Sequence, residues 1–168
     1  MAVVAGASAG LHAVGRATII QLRAPELTTR DLETNASNLV ASSPVPVIIS
    51  SRCDVALATG AAGVNLPERD ISVGDARRLL GQKLIGRSVH SLDAAQQAEK
   101  EGADFVIFGP VWESESHPTS DPKGVEALAE VTHALRIPVL AIGGVTEERI
   151  AQCHAAGAAG FAAIRLFQ

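Results

Sequence analysis

Short apolar runs alternate along this chain with longer stretches in which apolar residues return every three or four positions. The runs Ala17–Arg23, Val45–Ser50, Gly63–Leu66, Lys83–Ser88, Ala103–Phe108, Pro138–Ile142 and Gly160–Ile164 are mostly continuous rather than alternating. A strand with one wet face alternates, whereas a strand covered on both faces does not. The runs therefore predict a parallel sheet buried on both sides. Helical segments are expected between them, near Leu11–Val14, Thr29–Val40, Asp54–Thr59, Gly74–Leu80, Leu92–Glu101, Gly124–Leu135 and Glu147–Ala156. Val125, Leu128, Val131 and Leu135 form one core-facing stripe. Ser91 stands where an N-cap belongs and Gly102 at the following stop. Thr146 can cap the last helix, and Glu147 and Glu148 suit its positive end.

A weak repeat supports this order. Gly60-Ala61-Ala62-Gly63, Gly102-Ala103-Asp104-Phe105 and Gly157-Ala158-Ala159-Gly160 each close a helix and open every second strand. Strand–helix alternation means a parallel sheet with helices outside, either open or closed into a barrel. No G-x-G-x-x-G follows the first strand, which lowers a dinucleotide-binding reading. Polar residues end nearly every strand, and in a barrel those ends converge on one mouth. The expected fold is α/β, a TIM-type (β/α)8 barrel forming a single domain over residues 1–168.

Composition narrows the partners. A net charge of −4 and a pI near 5.7 argue against nucleic-acid and anionic-membrane surfaces. Aromatics are 3% with no Tyr, which leaves little for base stacking. Cys53 and Cys153 lie far apart without C-x-x-C spacing, which points to reduced thiols in the cytoplasm. The start, MAVVAGASAGLHAVGR, lacks the basic region of a secretion signal. No run reaches the roughly 20 apolar residues of a membrane helix.

The strand ends supply Gln21 and Arg23, Ser50 to Arg52, Asn65 and Glu68, Ser88 and His90, Gly109 to His117, Gly143-Gly144, and Arg165. Gly143-Gly144 follows the strand ending at Ile142, and a backbone without Cβ atoms can approach a phosphate closely. Barrels often bind phosphate with the loops after strands seven and eight, which here adds Ala163 and Ile164 and allows Arg165 to reinforce them. The alternative is a purely structural turn. The loop Trp112–Lys123, WESESHPTSDPK, is long and polar, as functional loops are. It carries Glu113 as a candidate base and His117 as a candidate proton shuttle, against the plainer reading of solvated surface groups. His12, His133 and His154 fall on outer helices, and no metal-ligand spacing occurs.

The segments Gln21-Leu22-Arg23, Ile48 to Leu57, Ile85-Gly86-Arg87-Ser88-Val89-His90-Ser91, Gln97 to Lys100, Phe108-Gly109-Pro110-Val111 and Ala141-Ile142-Gly143-Gly144 together resemble the thiamine phosphate synthase/TenI family. The resemblance runs from about Ala17 to Ile164. It implies a (β/α)8 barrel acting on a thiazole phosphate in thiamine biosynthesis. The family's synthases join a pyrimidine diphosphate to the thiazole phosphate, releasing pyrophosphate with Mg²⁺. Its TenI branch isomerises the thiazole precursor by proton transfer, without metal.

The chain departs from the synthase pattern at several points. Where synthases read Q-L-R-x-K, Ala24 and Pro25 follow Arg23. N-D-R becomes Ser50-Ser51-Arg52, and T-x-T-K becomes Ser114-Glu115-Ser116-His117. Asp70 matches the other Mg²⁺ aspartate. The stretch Ile85–Ser91 and Leu66-Pro67 look closer to TenI, although Pro110 stands where TenI carries its proposed catalytic His. These departures make the tautomerase, an isomerase, the expected activity ahead of the synthase, a transferase. A non-catalytic phosphate-ligand binder is the third alternative. The tautomerase reading makes His117 and Glu113 catalytic. It assigns Gln21, Arg23, Arg52, Ser88, Ser114 and Ser116 to the substrate, and Gly109, Gly143, Gly144, Ala163 and Ile164 to the phosphate. It needs no cofactor, and metal enters through Asp70, as Mg²⁺, only under the synthase reading.

Length sharpens the fold expectation. Barrels of this type usually need at least about 200 residues, and this chain has 168. Seven strands are expected, with the family's first strand and last helix missing. Three explanations stay open: Met1–Ala7 supplies a first strand, a second subunit covers the gap in a homodimer, or the native chain is longer.

Overall fold

A computed structural model describes residues 1–113 and 121–167. Eight parallel strands run in sequence order around one sheet. They are β1 (Ala2–Val4), β2 (Ile20–Leu22), β3 (Val47–Ser50), β4 (Gly63–Leu66), β5 (Leu84–Val89), β6 (Phe105–Phe108), β7 (Val139–Ile142) and β8 (Gly160–Ala162). The helices between them are α1 (Ala7–Ala13), α2 (Thr29–Ser42), α3 (Cys53–Ala58), α4 (Val73–Leu80), α5 (Leu92–Lys100), α6 (Gly124–Ala134) and α7 (Glu147–Ala155). A short 3₁₀ helix, Arg165–Phe167, follows β8. Among the described residues no helix is long and apolar enough to cross a membrane.

The expectation of a missing first strand is corrected here. Ala2–Val4 pairs in register with Ile20–Leu22. On its other side Ala2 bridges Ala163, and the Val3 amide donates to the Ala163 carbonyl at 2.9 Å. Strand β8 thus returns to β1 and the barrel closes. The open seam on which a homodimer was expected is absent, because β1 and β8 satisfy each other's edges. The strand is only three residues long, Ala-Val-Val, too short for a periodicity signal.

Side-chain alternation along the strands builds two apolar regions. The larger lies between sheet and helices, with Val4, Ile20, Leu22, Ile49, Val64, Leu66, Ile85, Val106 and Val139 against Leu32, Leu39, Val73, Leu128 and Val131. The smaller fills the barrel interior with Met1, Val3, Ile48, Phe105, Ile107 and Ala162. Gly86 is the space that Phe105 occupies: a Cβ there would lie 2.2 Å from the ring. This apolar plug closes the barrel below its C-terminal end, so the mouth is a cup rather than a channel.

The helix ends follow the sequence. Thr28, Ser72 and Ser91 cap α2, α4 and α5 by accepting the amides of Asp31, Asp75 and Ala94. The repeat also has a structural basis. Gly102 and Gly157 adopt φ of 92° and 84°, and the following residues, Ala103 and Ala158, donate back to the carbonyls of Ala98 and Cys153 at 3.0 Å each. Only a residue without Cβ takes that turn cheaply.

Candidate active site

Above the apolar plug, the inward positions turn polar. Gln21 and Asn65 are the buried polar side chains among the described residues. Ser50 on β3 is the register partner of Asn65 on β4, so both face the same way. Gln21 donates to the Ser50 hydroxyl at 3.2 Å, and Asn65 donates to the Ser88 hydroxyl at 3.0 Å. These pairs span β2–β3 and β4–β5 and form the floor of a cavity of about 270 Å³. Val3, Ile107 and Ile142 supply its apolar wall. Arg23, Glu68 and His90 stand around it, and Gly109, Pro110 and Gly143 complete it. An apolar cup with a few convergent amide and hydroxyl groups suits a small planar heterocycle.

Five expected residues therefore meet in one place: Gln21, Arg23, Ser88, Gly109 and Gly143 line the cavity. Ile164 lines an adjoining hollow of about 260 Å³ that shares Val3 and Arg23 with the first. Ala163 is buried and is used in closing the barrel on β1.

Arg52 goes elsewhere. It precedes α3, and its guanidinium is held by both carboxylate oxygens of Asp54, at 2.8 and 2.6 Å, and by the Thr29 hydroxyl at 3.2 Å. That pairing holds the Asp54 carboxyl below its ordinary range, chiefly through the Arg52 hydrogen bond. Arg52 is not among the residues that line the cavity. In this structure its guanidinium is engaged by Asp54 and Thr29.

Glu113 is exposed, and its carbonyl oxygen would lie 2.5 Å from a Cβ on Gly144. Ser114, Ser116 and His117 lie outside the described residues.

The turn after β7 is tightly engaged. Gly143 and Gly144 have φ of 91° and 65°. A Cβ on Gly143 would lie 2.5 Å from Pro110, and one on Gly144 2.7 Å from the Trp112 Cβ. The Val111 and Trp112 amides donate to the carbonyls of Ile142 and Gly143, at 2.8 and 3.1 Å. Close approach of the loop after β6 thus requires both glycines, whatever else the turn binds.

The loop after β4 is fixed as firmly. Arg87 donates to the carbonyls of Ile71 at 2.7 Å and Glu68 at 2.8 Å. Asp70 accepts from the Ile71 amide at 2.8 Å and from the Ser51 hydroxyl. Ser51 itself has φ of 68°, the one such non-glycine residue noted among those described. Glu68 pairs with His90 Nδ1 across the cavity rim. Glu68, His90 and Asn65 were counted at the mouth from sequence without a role; their pairings depend on strand register, which the sequence does not display. Among the described residues no group of three or more His, Cys, Asp or Glu side chains is placed to hold a metal.

The profile of the thiamine monophosphate synthase family matches residues 3–167. A putative thiamine-phosphate synthase 2 of Aquifex aeolicus is 40% identical over 152 residues, covering 89% of this chain and 82% of that protein. A thiamine-phosphate synthase of Methanoculleus marisnigri is 42% identical over 161 residues, covering 93% of this chain and 76% of that one. Among solved structures, a thiamine phosphate pyrophosphorylase from Pyrococcus furiosus superposes with a TM-score of 0.85 at 31% identity, over 94% of this chain and 78% of that one. These relatives are named as transferases, which overturns the expected preference for an isomerase. That preference rested on a few short segments, Ala24-Pro25, Ser50-Ser51, Ser114 to His117, Ile85–Ser91 and Leu66-Pro67, whereas the similarity spans nearly the whole chain.

Proposed function

The chain belongs to the thiamine monophosphate synthase family, and from that premise we propose that it is a transferase of the thiamine-phosphate synthase type. It joins a pyrimidine diphosphate to a thiazole phosphate and releases pyrophosphate. The observation that carries the reading is the 42% identity to a thiamine-phosphate synthase over 93% of the chain, together with a polar-floored cavity at the barrel mouth.

In this reaction a carbon–oxygen bond to the diphosphate breaks and a bond to the thiazole forms. The chain's own groups have three tasks. The amides of Gln21 and Asn65 and the hydroxyls of Ser50 and Ser88 orient the heterocycles on the cavity floor. The turn Gly143–Gly144, with the backbone at Ile164, holds the thiazole's phosphate, whereas the Ala163 amide is committed to the Met1 carbonyl. Arg23 at the rim favours the anionic groups. By the family resemblance, Ser114, Ser116 and His117 take the diphosphate side.

Mg²⁺ fits this donor set. Asp70 and Ser51 present adjacent carboxylate and hydroxyl oxygens, and Mg²⁺ commonly takes only one or two protein carboxylates, with phosphate oxygens and water completing its shell. The chemistry a bound Mg²⁺ would supply is neutralisation of the charge developing on the departing diphosphate. Asp70 is the carboxylate that would hold it, kept in place by Ser51 and by the loop that Arg87 anchors. The buried, unpaired Cys53 and Cys153 support a reducing, cytoplasmic setting.

The test is direct. Purified protein with both substrates and Mg²⁺ should release pyrophosphate and form thiamine phosphate in equal amounts. Absence of both products, with the protein folded, refutes the reading.

A further inference from the structure

Arg149, in the first turn of α7, ties together the two loops that make one wall of the cavity. Its guanidinium donates to the Gly144 carbonyl at 2.7 Å. It also lies over the Trp112 ring, 5.1 Å from the centroid. Trp112 belongs to the loop after β6 and Gly144 to the turn after β7, so one planar cation bridges both. The bridge reinforces the backbone bond from Trp112 to Gly143 at 3.1 Å. Arg149 is not among the cavity-lining residues, whereas Pro110 and Gly143 are. It therefore acts on a ligand through them.

We propose that Arg149 is a positioning residue for anion binding, setting the Gly143–Gly144 turn and the root of the β6 loop in the orientation that receives a phosphate ester. The inference rests on the reading of this turn as the thiazole-phosphate site. At φ of 91° and 65° the two glycines have many alternative conformations open to them, and an amide that wanders makes a poor anion ligand. A guanidinium suits the task because its fork bonds a carbonyl while its flat face stacks on an aromatic ring. An ammonium does only one of these well.

The experiment compares calorimetric binding of a thiazole phosphate and of the corresponding thiazole alcohol, so that the phosphate's own contribution is isolated. Wild type should bind the phosphate ester more tightly than the alcohol. Arg149→Met, similar in length and neutral, should lose about tenfold of that preference, the scale of one hydrogen bond to a charged group. Its affinity for the alcohol and its kcat at saturation should stay within about twofold, leaving KM to carry the loss. Arg149→Lys should recover little. Trp112 is the sole tryptophan, so its emission should shift in unliganded Arg149→Met. Trp112→Leu, which keeps the carbonyl bond and removes the ring, should give an intermediate loss and serves if Arg149→Met fails to fold.

Undiminished phosphate preference in Arg149→Met, or in Trp112→Leu where that variant stands in for it, overturns the role of Arg149 alone. Full recovery in Arg149→Lys overturns positioning in favour of simple charge. A wild type that binds ester and alcohol equally overturns the phosphate reading and the role of Arg149 with it, while synthase turnover is scored separately by pyrophosphate release.

Discussion

Asn65 on β4 donates its side-chain amide to the Ser88 hydroxyl on β5 at 3.0 Å, and its carbonyl oxygen is buried without a donor among the described residues. A fully buried amide with half its capacity unmet is costly unless another element of the site compensates. Ser88→Ala removes the remaining partner. The variant should be destabilised by about 1–3 kcal/mol, read from the urea midpoint at unchanged slope. Asn65→Leu, which removes the unmet carbonyl together with the amide, should be closer to wild type in stability yet bind substrate more weakly, which separates the floor's stability role from its binding role.

The two glycines after β7 differ in kind from Gly60. A Cβ on Gly143 meets Pro110 at 2.5 Å, whereas a Cβ on Gly60 meets nothing within 4 Å, although both have positive φ. Gly60→Ala should cost only the conformational penalty, about 1 kcal/mol. Gly143→Ala must also displace the loop after β6, so it should lower the melting temperature further and raise KM for the thiazole phosphate at least tenfold.

Asp70→Asn keeps the size of the side chain and one acceptor, for the Ile71 amide, turns its NH2 donor toward the Ser51 hydroxyl, and removes the carboxylate charge. The Mg²⁺ concentration for half-maximal activity should rise severalfold, with activity recovered at high Mg²⁺. Ser51→Asp, which adds a second carboxylate beside Asp70, should lower that concentration. An unchanged Mg²⁺ requirement in both variants would remove Asp70 from metal binding.

His117→Lys restores the cation found at the corresponding place of the synthase pattern. KM for the pyrimidine diphosphate should fall severalfold, because a permanent cation beside the site favours a diphosphate. KM for the thiazole phosphate should stay unchanged.

Arg52 and Asp54 supply a pH-dependent contribution with a definite sign. The Arg52 hydrogen bonds hold the Asp54 carboxyl below its unfolded value. The contribution is therefore present above the unfolded carboxylate pKa, about 4, and is lost as pH falls through the lower, folded value. The pair is largely exposed, with side-chain exposures of 35% and 64%, so its worth is small, well under about 1 kcal/mol. Arg52→Ala should flatten the acid limb of a stability-versus-pH curve slightly and leave KM for both substrates unchanged. A large rise in KM would place Arg52 back at the substrate.

Seven of the eight strands and the seven intervening helices were legible in the sequence. A strand covered on both faces must be apolar throughout, and a helix packed on a sheet must repeat its apolar residues every three to four positions. The same logic placed Gln21, Ser88, Gly109 and Gly143 at one mouth, because parallel strands present their C-terminal ends together. Ala2–Val4 entered only within Met1–Ala7, as one of three explanations for the short chain, because three residues carry no period and its membership depends on partners 18 and 161 residues away, at Ile20 and Ala163. Local pattern thus determined the barrel and its polar end, and the resemblance of its motif segments pointed to the family. Tertiary structure alone decided which rim groups serve the cavity. It turned Arg52 away to Asp54, set Asn65 against Ser88, and drew Arg149 across Gly144 and Trp112, because such pairings depend on register between strands and on the approach of loops remote in sequence.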